Sequence, residues 1–424
     1  MKLKTLLLSS LLALAFGAST AQAQTNLLST QFRPVEEAQK MQDVLLKGAG
    51  AQFIAENGNT FMTRMQAELG AAQGRVHVTL ALDGELSPVN AVGGFLDLDE
   101  LTKKLSADRE FNPGALQIGK LGGSTAKFVP FVMNTFQMAA NKEALKYLPA
   151  GANLNTLTWT QLIAWAKAVK VATGESKFGL PAGPQGLIHR FFQGYAYPAY
   201  TGGLVRTFKN ADAEKMWADL KDLWTVTNPR STSYGFMEEP LKTGEVWIAF
   251  DHTARLLPAL NDKPDNFVVF PAPAGPKGRF YMPVITGLAI PKNTPDRAAS
   301  ERLIDHMTKP VTQAAALREV GFFPTVKADV GQLSRGVQLA AGGVAATFGG
   351  QGARAALLPA GLGAKNGEFN KVFIDSFQRI VVKNEDVKAV LADQGKTLDA
   401  LMKEANVPCW SPDASSGTGP CPVN

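Results

Sequence analysis

Residues 26–85 read NLLSTQFRPVEEAQKMQDVLLKGAGAQFIAENGNTFMTRMQAELGAAQGRVHVTLALDGE, and the alternation inside this stretch decides the fold. Asn26 to Gln31 reads as a first strand. Pro34 to Leu46 reads as a helix, with Glu36 and Glu37 in the first turn, where the helix dipole favours acids. Ala51 to Ala55 is a second strand. Phe61, Met65 and Leu69 recur at four-residue spacing and mark a second helix, closed by Gly70 or Gly74. Val76 to Leu82 alternates as a third strand and runs into an expected turn, Asp83-Gly84-Glu85. Strand, helix, strand, helix, strand is the order of an open, mostly parallel α/β sheet. Such sheets take ligands outside the carboxyl ends of their strands. The loops at Arg33 to Glu37 and Asp83 to Glu85 fall there.

The whole chain has 424 residues, more than one ordinary core accommodates, so two or more lobes are expected. Its composition, 45% hydrophobic and 19% charged, can bury large cores and excludes disorder as the general state. The formal net charge is +6, and no basic block concentrates it. Aromatic residues are not interleaved with basic ones either, so nucleic acid is not an expected partner.

Lys2 and Lys4 form a charged n-region, and Leu6 to Phe16 is apolar apart from Ser9 and Ser10. Ala21-Gln22-Ala23 supplies a small-x-small cleavage site. Residues 1–23 therefore read as a secretory signal peptide, cut between Ala23 and Gln24. The apolar run is shorter than the roughly 20 residues that a membrane span requires. The mature chain is expected to be soluble and either periplasmic or extracellular, with a net charge of +4 once Lys2 and Lys4 are gone. Its two cysteines, Cys409 and Cys421, both stand in the tail CWSPDASSGTGPC. In an exported protein the pair reads as a disulfide that pins residues 407–424, stabilising by about 3 kcal/mol on the chain-entropy account.

Beyond residue 85, FVPFVMN (128–134) and FQMAA (136–140) are two extended segments nearly end to end, with a passage from one lobe to another expected around Asn134. TWTQLIAWAKAVK opens a helix with a capping box, Thr158 at the N-cap and Gln161 at N3. Leu162, Ala166 and Val169 lie along its apolar face. A second amphipathic helix runs from about Ala211 to Val226 and buries Trp217, Leu220 and Trp224. Phe267 to Phe270 is a strand leading into PAPAGPKG; Ile285 to Ile290 is another, followed by a helix near Arg297 to Met307.

In their order these segments resemble the extracellular solute-binding proteins of ABC importers, in particular the family-1, carbohydrate-type members. FVPFVMNTFQMAANKEAL resembles the family's extended crossover and the turn after it, here Ala140-Asn141-Lys142. LTWTQLIAWAK resembles its Thr-Trp helix start, and TGGLVRTFKNADAEKMWADLKDLW its Gly-Gly turn and long helix. LKTGEVWIAFDH, FVVFPAPAGPKG and ITGLAIPKNTPDRAASERLIDHMTKPVTQAAALREVGFFPTVK resemble its buried strand, its proline-rich return and its second crossover with a closing Gly-x-x-Pro. The likeness spans about Leu27 to Asn406. The chain departs from the pattern in lacking a Trp near the end of the first strand and in having Ala140 where an aromatic is usual.

The resemblance implies an α/β, two-lobed, periplasmic-binding-protein type II-like fold with a hinge and an interlobe ligand cleft. Lobe one is then 24–133 with 285–328, lobe two 134–284 with 329–406, and 407–424 the tail. It implies a monomeric, non-enzymatic protein without a cofactor. Such a protein closes on a small molecule, a carbohydrate, and delivers it to an ABC transporter membrane permease.

A sugar site combines planar polar side chains with aromatic platforms. Candidates on lobe one are Arg33, Glu36, Asp83 and Glu85, with Asn134 at the crossover. On lobe two Tyr195, Tyr197 and Tyr200 are candidate platforms on a loop, and Trp247, Asp251, His252 and Arg255 follow a strand and its exit. Phe323 precedes Pro324 in the closing motif. Each has a plainer alternative: a helix start for Glu36, turn residues in Asp83 and Glu85, core packing for a tyrosine, Trp247 or His252, an ion pair between Asp251 and Arg255. The three tyrosines also leave open a ferric-ion or other small-solute protein on the same fold. A serine acyl-enzyme of the β-lactamase or penicillin-binding type is a further rival, since Ser124-Thr125-Ala126-Lys127 matches S-x-x-K and Lys242-Thr243-Gly244 matches K-T-G. That chemistry needs Ser and Lys one helical turn apart, whereas this tetrad runs into a predicted strand containing Pro130.

Overall fold

The computed structural model describes residues 24–32 and 35–424. The expected signal peptide, 1–23, lies outside the described residues. The first three strands, β1 (Thr25–Ser29), β2 (Ala51–Ala55) and β3 (Val78–Leu82), are parallel, with β1 in the middle. The helix between the first two starts at Val35 and continues into a π turn over Met41–Leu45, burying Met41 and Leu45. The helix between the next two is Gly58–Gly70. The strand–helix alternation of residues 26–82 is thus present as read.

The connection after β3 is not a turn. Asp83 to Ala91 is a helix, and the Glu85 carboxylate at N3 accepts the Leu82 amide at 3.0 Å, which is half of a capping box. A Pro at position 88 and two residues that favour turns conceal it in the sequence.

β4 (Val129–Asn134) is followed after a single residue by β5 (Phe136–Asn141), and the two belong to different sheets. β5 lies at the centre of a second sheet with β6 (Phe178–Gly179), β7 (Ile248–His252) and β8 (Phe267–Phe270), in the order β6-β7-β5-β8. The chain then forms β9 (Phe280–Tyr281) and returns to the first sheet as β10 (Val284–Ala289), antiparallel to both β3 and β4. β11 (Phe323–Pro324) completes that sheet, in the order β11-β4-β10-β3-β1-β2. The next helix, Arg335–Phe348, packs on the second sheet, and β12 (Arg354–Ala355) pairs with β9. Two α/β lobes result, one built on each of these two sheets. The chain passes between them at Thr135, between Tyr281 and Val284, and after Pro324.

Local sequence explains the elements of lobe two well. Thr158 and Gln161 form the expected capping box of helix Trp159–Thr173: the Gln161 amide donates to Thr158 Oγ1 at 3.2 Å and the Thr158 amide to Gln161 Oε1 at 3.0 Å. This helix buries Trp165, whose indole N–H donates to the Ala144 carbonyl at 2.7 Å, so the large apolar ring carries no unmet polar group. Helix Ala211–Trp224 buries Met216, Trp217, Leu220 and Leu223 from one face. In the tail, the sulfurs of Cys409 and Cys421 stand 1.94 Å apart. The lobes touch beyond the hinge: a Cβ on Gly84 would lie 2.6 Å from the Pro359 carbonyl oxygen. Among the described residues no helix is long and apolar enough to cross a membrane.

Candidate functional site

The candidate site is the cleft between the lobes, and lobe one presents its carboxylates there. Both stand at the carboxyl end of β3, where the parallel strands aim their exits. Glu85 accepts from Thr30 Oγ1 at 2.5 Å as well as from the Leu82 amide, so its position is fixed by the ends of β1 and β3 together. Asp83 is only 6% exposed, and its Oδ1 has no hydrogen-bond partner among the described residues. Burial pushes its carboxyl up to about 7, against the backbone amides of Asp83 and Gly84 and the attraction of Arg190.

Arg190 comes from lobe two. Residues 188–201 run as helix Ile188–Phe191, a π turn over Phe192–Ala196 and helix Tyr197–Thr201. Arg190 donates from Nη1 to Gln193 Oε1 at 2.9 Å, and Gln193 in turn donates to Asn370 Oδ1 at 2.9 Å. Burial lowers the guanidinium to about 10, opposed by Glu85 and Asp83 across the cleft. It remains a cation at neutral pH. Beside it, burial and then Arg190 and Arg255 hold His189 well below its ordinary value, and its Nδ1 is buried without a hydrogen-bond partner among the described residues.

Arg255 extends this polar wall. Its Nη1 donates to the carbonyls of Gln185 (3.2 Å) and Gly235 (3.0 Å), and its guanidinium lies 4.2 Å from the Phe236 ring centroid. Asp251 is fully buried and accepts from the amides of Met237 (3.0 Å) and His252 (2.7 Å). Burial raises it to about 7, with Arg255 the main opposing influence. Burial and then Arg255 take His252 down to about 3, and its ring meets Phe136 edge-on at 5.1 Å.

These shifts offset one another. Asp83 and Asp251 have folded values above their unfolded ones, so each contributes stability that is complete below about pH 4 and lost as pH rises through 7. His189 and His252 are lowered, so each contributes stability that is present above about 6.5 and lost as pH falls. Below pH 6.5, and down to about pH 4, the acids and the imidazoles therefore pull stability in opposite directions. Asp83→Asn removes one of the two acids from that balance. Urea unfolding of Asp83→Asn at a series of pH values is expected to show stability falling on acidification over this window, steeper than wild type by about 1.4 kcal/mol per pH unit. Parallel pH profiles for the two proteins would refute the assignment.

Of the residues expected from sequence, Asp83 and Glu85 stand within electrostatic reach of Arg190, and Asp251 and His252 within that of Arg255. Arg33 lies outside the described residues, and Glu36 is exposed in the first turn of its helix. The aromatic platforms are corrected. Residues 195–200 belong to a helix, not a loop, and their rings face inward. The Tyr197 hydroxyl donates to the Phe208 carbonyl (3.1 Å) and accepts from Trp217 Nε1 (3.0 Å). Tyr200 bonds Asp219 at 2.8 Å, and Tyr195 reaches the hinge. Trp247 stands before the start of β7, whereas the opposite end of that strand, His252, meets the hinge through Phe136. Its ring is partly covered by Lys177 and is remote from the cleft end of the sheet. Phe323 packs in the lobe-one core as part of β11. Asn134 is fully buried at the crossover, donating to the Gly321 carbonyl at 3.4 Å and accepting the Thr135 amide at 3.0 Å.

The rival chemistries lose their geometry. Ser124 is exposed in an irregular segment, and Lys127 Nζ is 3.9 Å from Asp97, so no helical turn sets Lys against Ser. Lys242 ends a short helix in the other lobe. Iron would need phenolate ligands, but burial raises Tyr195 to about 12 and raises Tyr197 and Tyr200 further, with all three hydroxyls already bonded within the protein. Among the described residues no group of three or more His, Cys, Asp or Glu is arranged to hold a metal ion.

Sequence reasoning missed Arg190, His189 and Gln193. Ile188, Phe191, Phe192, Tyr195 and Ala199 follow the i, i+3, i+4, i+7 spacing of a helix, and that spacing would have put Arg190 on a face away from the core.

Solved structures match the whole fold. Maltose-bound MalE3 of T. maritima has a TM-score of 0.68 at 18% identity, covering 89% of this chain and 99% of that one. The GacH receptor of Streptomyces glaucescens GLA.O, solved unliganded and with acarbose, has a TM-score of 0.66 at 16% identity, covering 90% and 98%. UgpB from Mycobacterium tuberculosis, in complex with glycerophosphocholine, has a TM-score of 0.66 at 15% identity, covering 89% and 98%. Comparison with curated proteins gives no match. In sequence, residues 40–338, which run from the end of the first helix across all three passages into helix Arg335–Phe348, match one family throughout: the chain belongs to the bacterial extracellular solute-binding proteins.

Proposed function

We propose that the mature chain captures a sugar or oligosaccharide between its lobes and presents the closed form to the permease of an ABC importer. In this reading lobe one is 24–133 with 285–328 and lobe two 134–284 with 329–406. The chain acts as an exported monomer whose Cys409–Cys421 pair is oxidised. The observation that carries the proposal is that Arg190 of one lobe stands close enough to Asp83 and Glu85 of the other for each side to feel the other's charge. A solute held there gains hydrogen bonds from both sides only when the lobes are closed, so binding draws the population to the closed form. Carboxylates and a guanidinium are planar groups suited to a sugar's hydroxyls. Relatives in fold that hold maltose and acarbose support that class. The two guanidiniums of Arg190 and Arg255 on the lobe-two wall also favour testing a phosphodiester of the glycerophosphocholine kind.

A thermal-shift panel on the mature protein tests this, using mono- and disaccharides, maltooligosaccharides, glycerophosphocholine, ferric citrate and a β-lactam. A ligand at 100 times its dissociation constant is expected to add about 2.7 kcal/mol to the folded state. A raised midpoint with one sugar, absent with the β-lactam and iron, is the expected outcome. A response to a non-sugar alone would overturn the carbohydrate reading.

A further inference from the structure

We propose that residues 188–201 act as a lever between the cleft and the hinge, with Tyr195 as the positioning residue that sets the balance between open and closed lobes. The inference deepens the two-lobed capture mechanism and rests on lobe closure, not on the identity of the solute.

The hydroxyl of Tyr195 sits at the first passage between the lobes. It accepts the Phe136 amide at 3.0 Å, and it lies 3.2 Å from the Phe136 carbonyl and 3.1 Å from Thr135 Oγ1. Thr135 has one hydroxyl proton, which goes to the Met282 carbonyl at 3.0 Å. Tyr195 is therefore the donor, its single proton shared between Thr135 Oγ1 and the Phe136 carbonyl. Because Met282 lies in the second passage, between β9 and β10, one phenol ties two of the three interlobe connections together. The neighbouring residue reinforces this contact. A Cβ on Gly194 would lie 2.6 Å from Met282 Cβ, so the helix backbone rests directly on the second passage and only glycine fits.

The same segment carries Arg190 into the cleft, one turn before Tyr195. Tyr195 itself lies in the π turn Phe192–Ala196, whose extra residue rotates helix Tyr197–Thr201 relative to helix Ile188–Phe191. Gln193, in that turn, bonds Arg190. Occupation of the cleft at Arg190 thus acts on a buried element that is packed firmly within lobe two and also reaches the hinge through Gly194 and Tyr195.

The test uses the mature chain without any solute. Val92 on lobe one and Val171 on lobe two are exposed, and the native cysteines are bonded to each other. Val92→Cys and Val171→Cys therefore accept spin labels for an interlobe distance distribution. Tyr195→Phe is expected to change the ratio of open to closed populations roughly fivefold, the effect of one net hydrogen bond. Tyr197→Phe, which loses a hydroxyl buried within lobe two alone, is expected to leave the distribution unchanged. If Tyr195→Phe does not fold, Thr135→Val, which cuts the link to Met282, is judged by the same criterion. A distribution superimposable on wild type, or an equal change with Tyr197→Phe, overturns the proposal. Both outcomes are independent of the sugar panel, so failure of one reading is not mistaken for failure of the other.

Discussion

Replacing Asp413 by Ala lowers the unfolding free energy by about 4 kcal/mol, because three backbone amides lose a shared acceptor and gain none. Asp413 lies inside the loop closed by Cys409 and Cys421, yet its carboxylate is buried against lobe two. Its Oδ1 accepts the amides of Leu204 (3.0 Å) and Arg206 (3.3 Å), and Oδ2 accepts that of Val205 (2.7 Å). These amides lie just past the end of the 188–201 segment, where the chain leaves its helix at Gly202. The tail is therefore a structural part of lobe two: Trp410 packs on Phe369 at 5.5 Å, and Cys421 and Val423 are buried in the same core. Asp413→Asn keeps an acceptor for two amides and places an NH2 against the third, so its cost is expected to be about half. Urea denaturation of wild type and both variants, with the disulfide intact, measures this. A loss under about 1 kcal/mol for Asp413→Ala would mean that water satisfies the three amides in place of the carboxylate.

That tail also shows what the sequence makes legible. Two cysteines twelve residues apart in an exported chain announce their pairing, but nothing local announces that the Asp between them caps a turn two hundred residues earlier. Local signals are the reliable ones throughout. The strand periodicity of residues 26–82, the Thr158–Gln161 capping box and the strand Phe267–Phe270 depend on neighbours in sequence and are readable from it. The Asp83 helix and the 188–201 helix escape such a reading because Gly, Pro and Asp within them suggest turns, while the tertiary packing of Leu86, Val89, Phe191 and Phe192 holds them helical. The aromatic platforms fail for a related reason. Composition identifies a tyrosine as suitable for a sugar, but only the helical period decides which way it faces, and for Tyr197 and Tyr200 that direction is the core. The acidic side of the cleft is legible because strand exits are predictable from topology. Its basic partner is hidden in an apolar run.

Replacing Arg190 by Met weakens solute capture by about 3 kcal/mol, roughly 150-fold, while Arg255→Met weakens it far less. Methionine keeps most of the arginine stem's packing and removes the charge. In the closed form Glu85 and Asp83 then lose the attraction of the Arg190 guanidinium. Every closure event then forgoes that attraction between the lobes, whether or not the solute itself touches Arg190. Arg255 differs because its guanidinium is committed within lobe two, to two carbonyls and the Phe236 ring. Its loss is therefore expected to appear as lower stability of lobe two, not as lost affinity. Calorimetric titration with the panel member that most stabilises the wild type, combined with urea unfolding of each variant, separates the two effects. An affinity change under about threefold for Arg190→Met would place solute recognition elsewhere on the cleft wall. Equal losses of affinity for the two variants would make the wall one electrostatic surface in which position counts for little. The contrast between the two arginines thus decides whether capture depends on a charge that spans the lobes or on the sum of charges lining one of them.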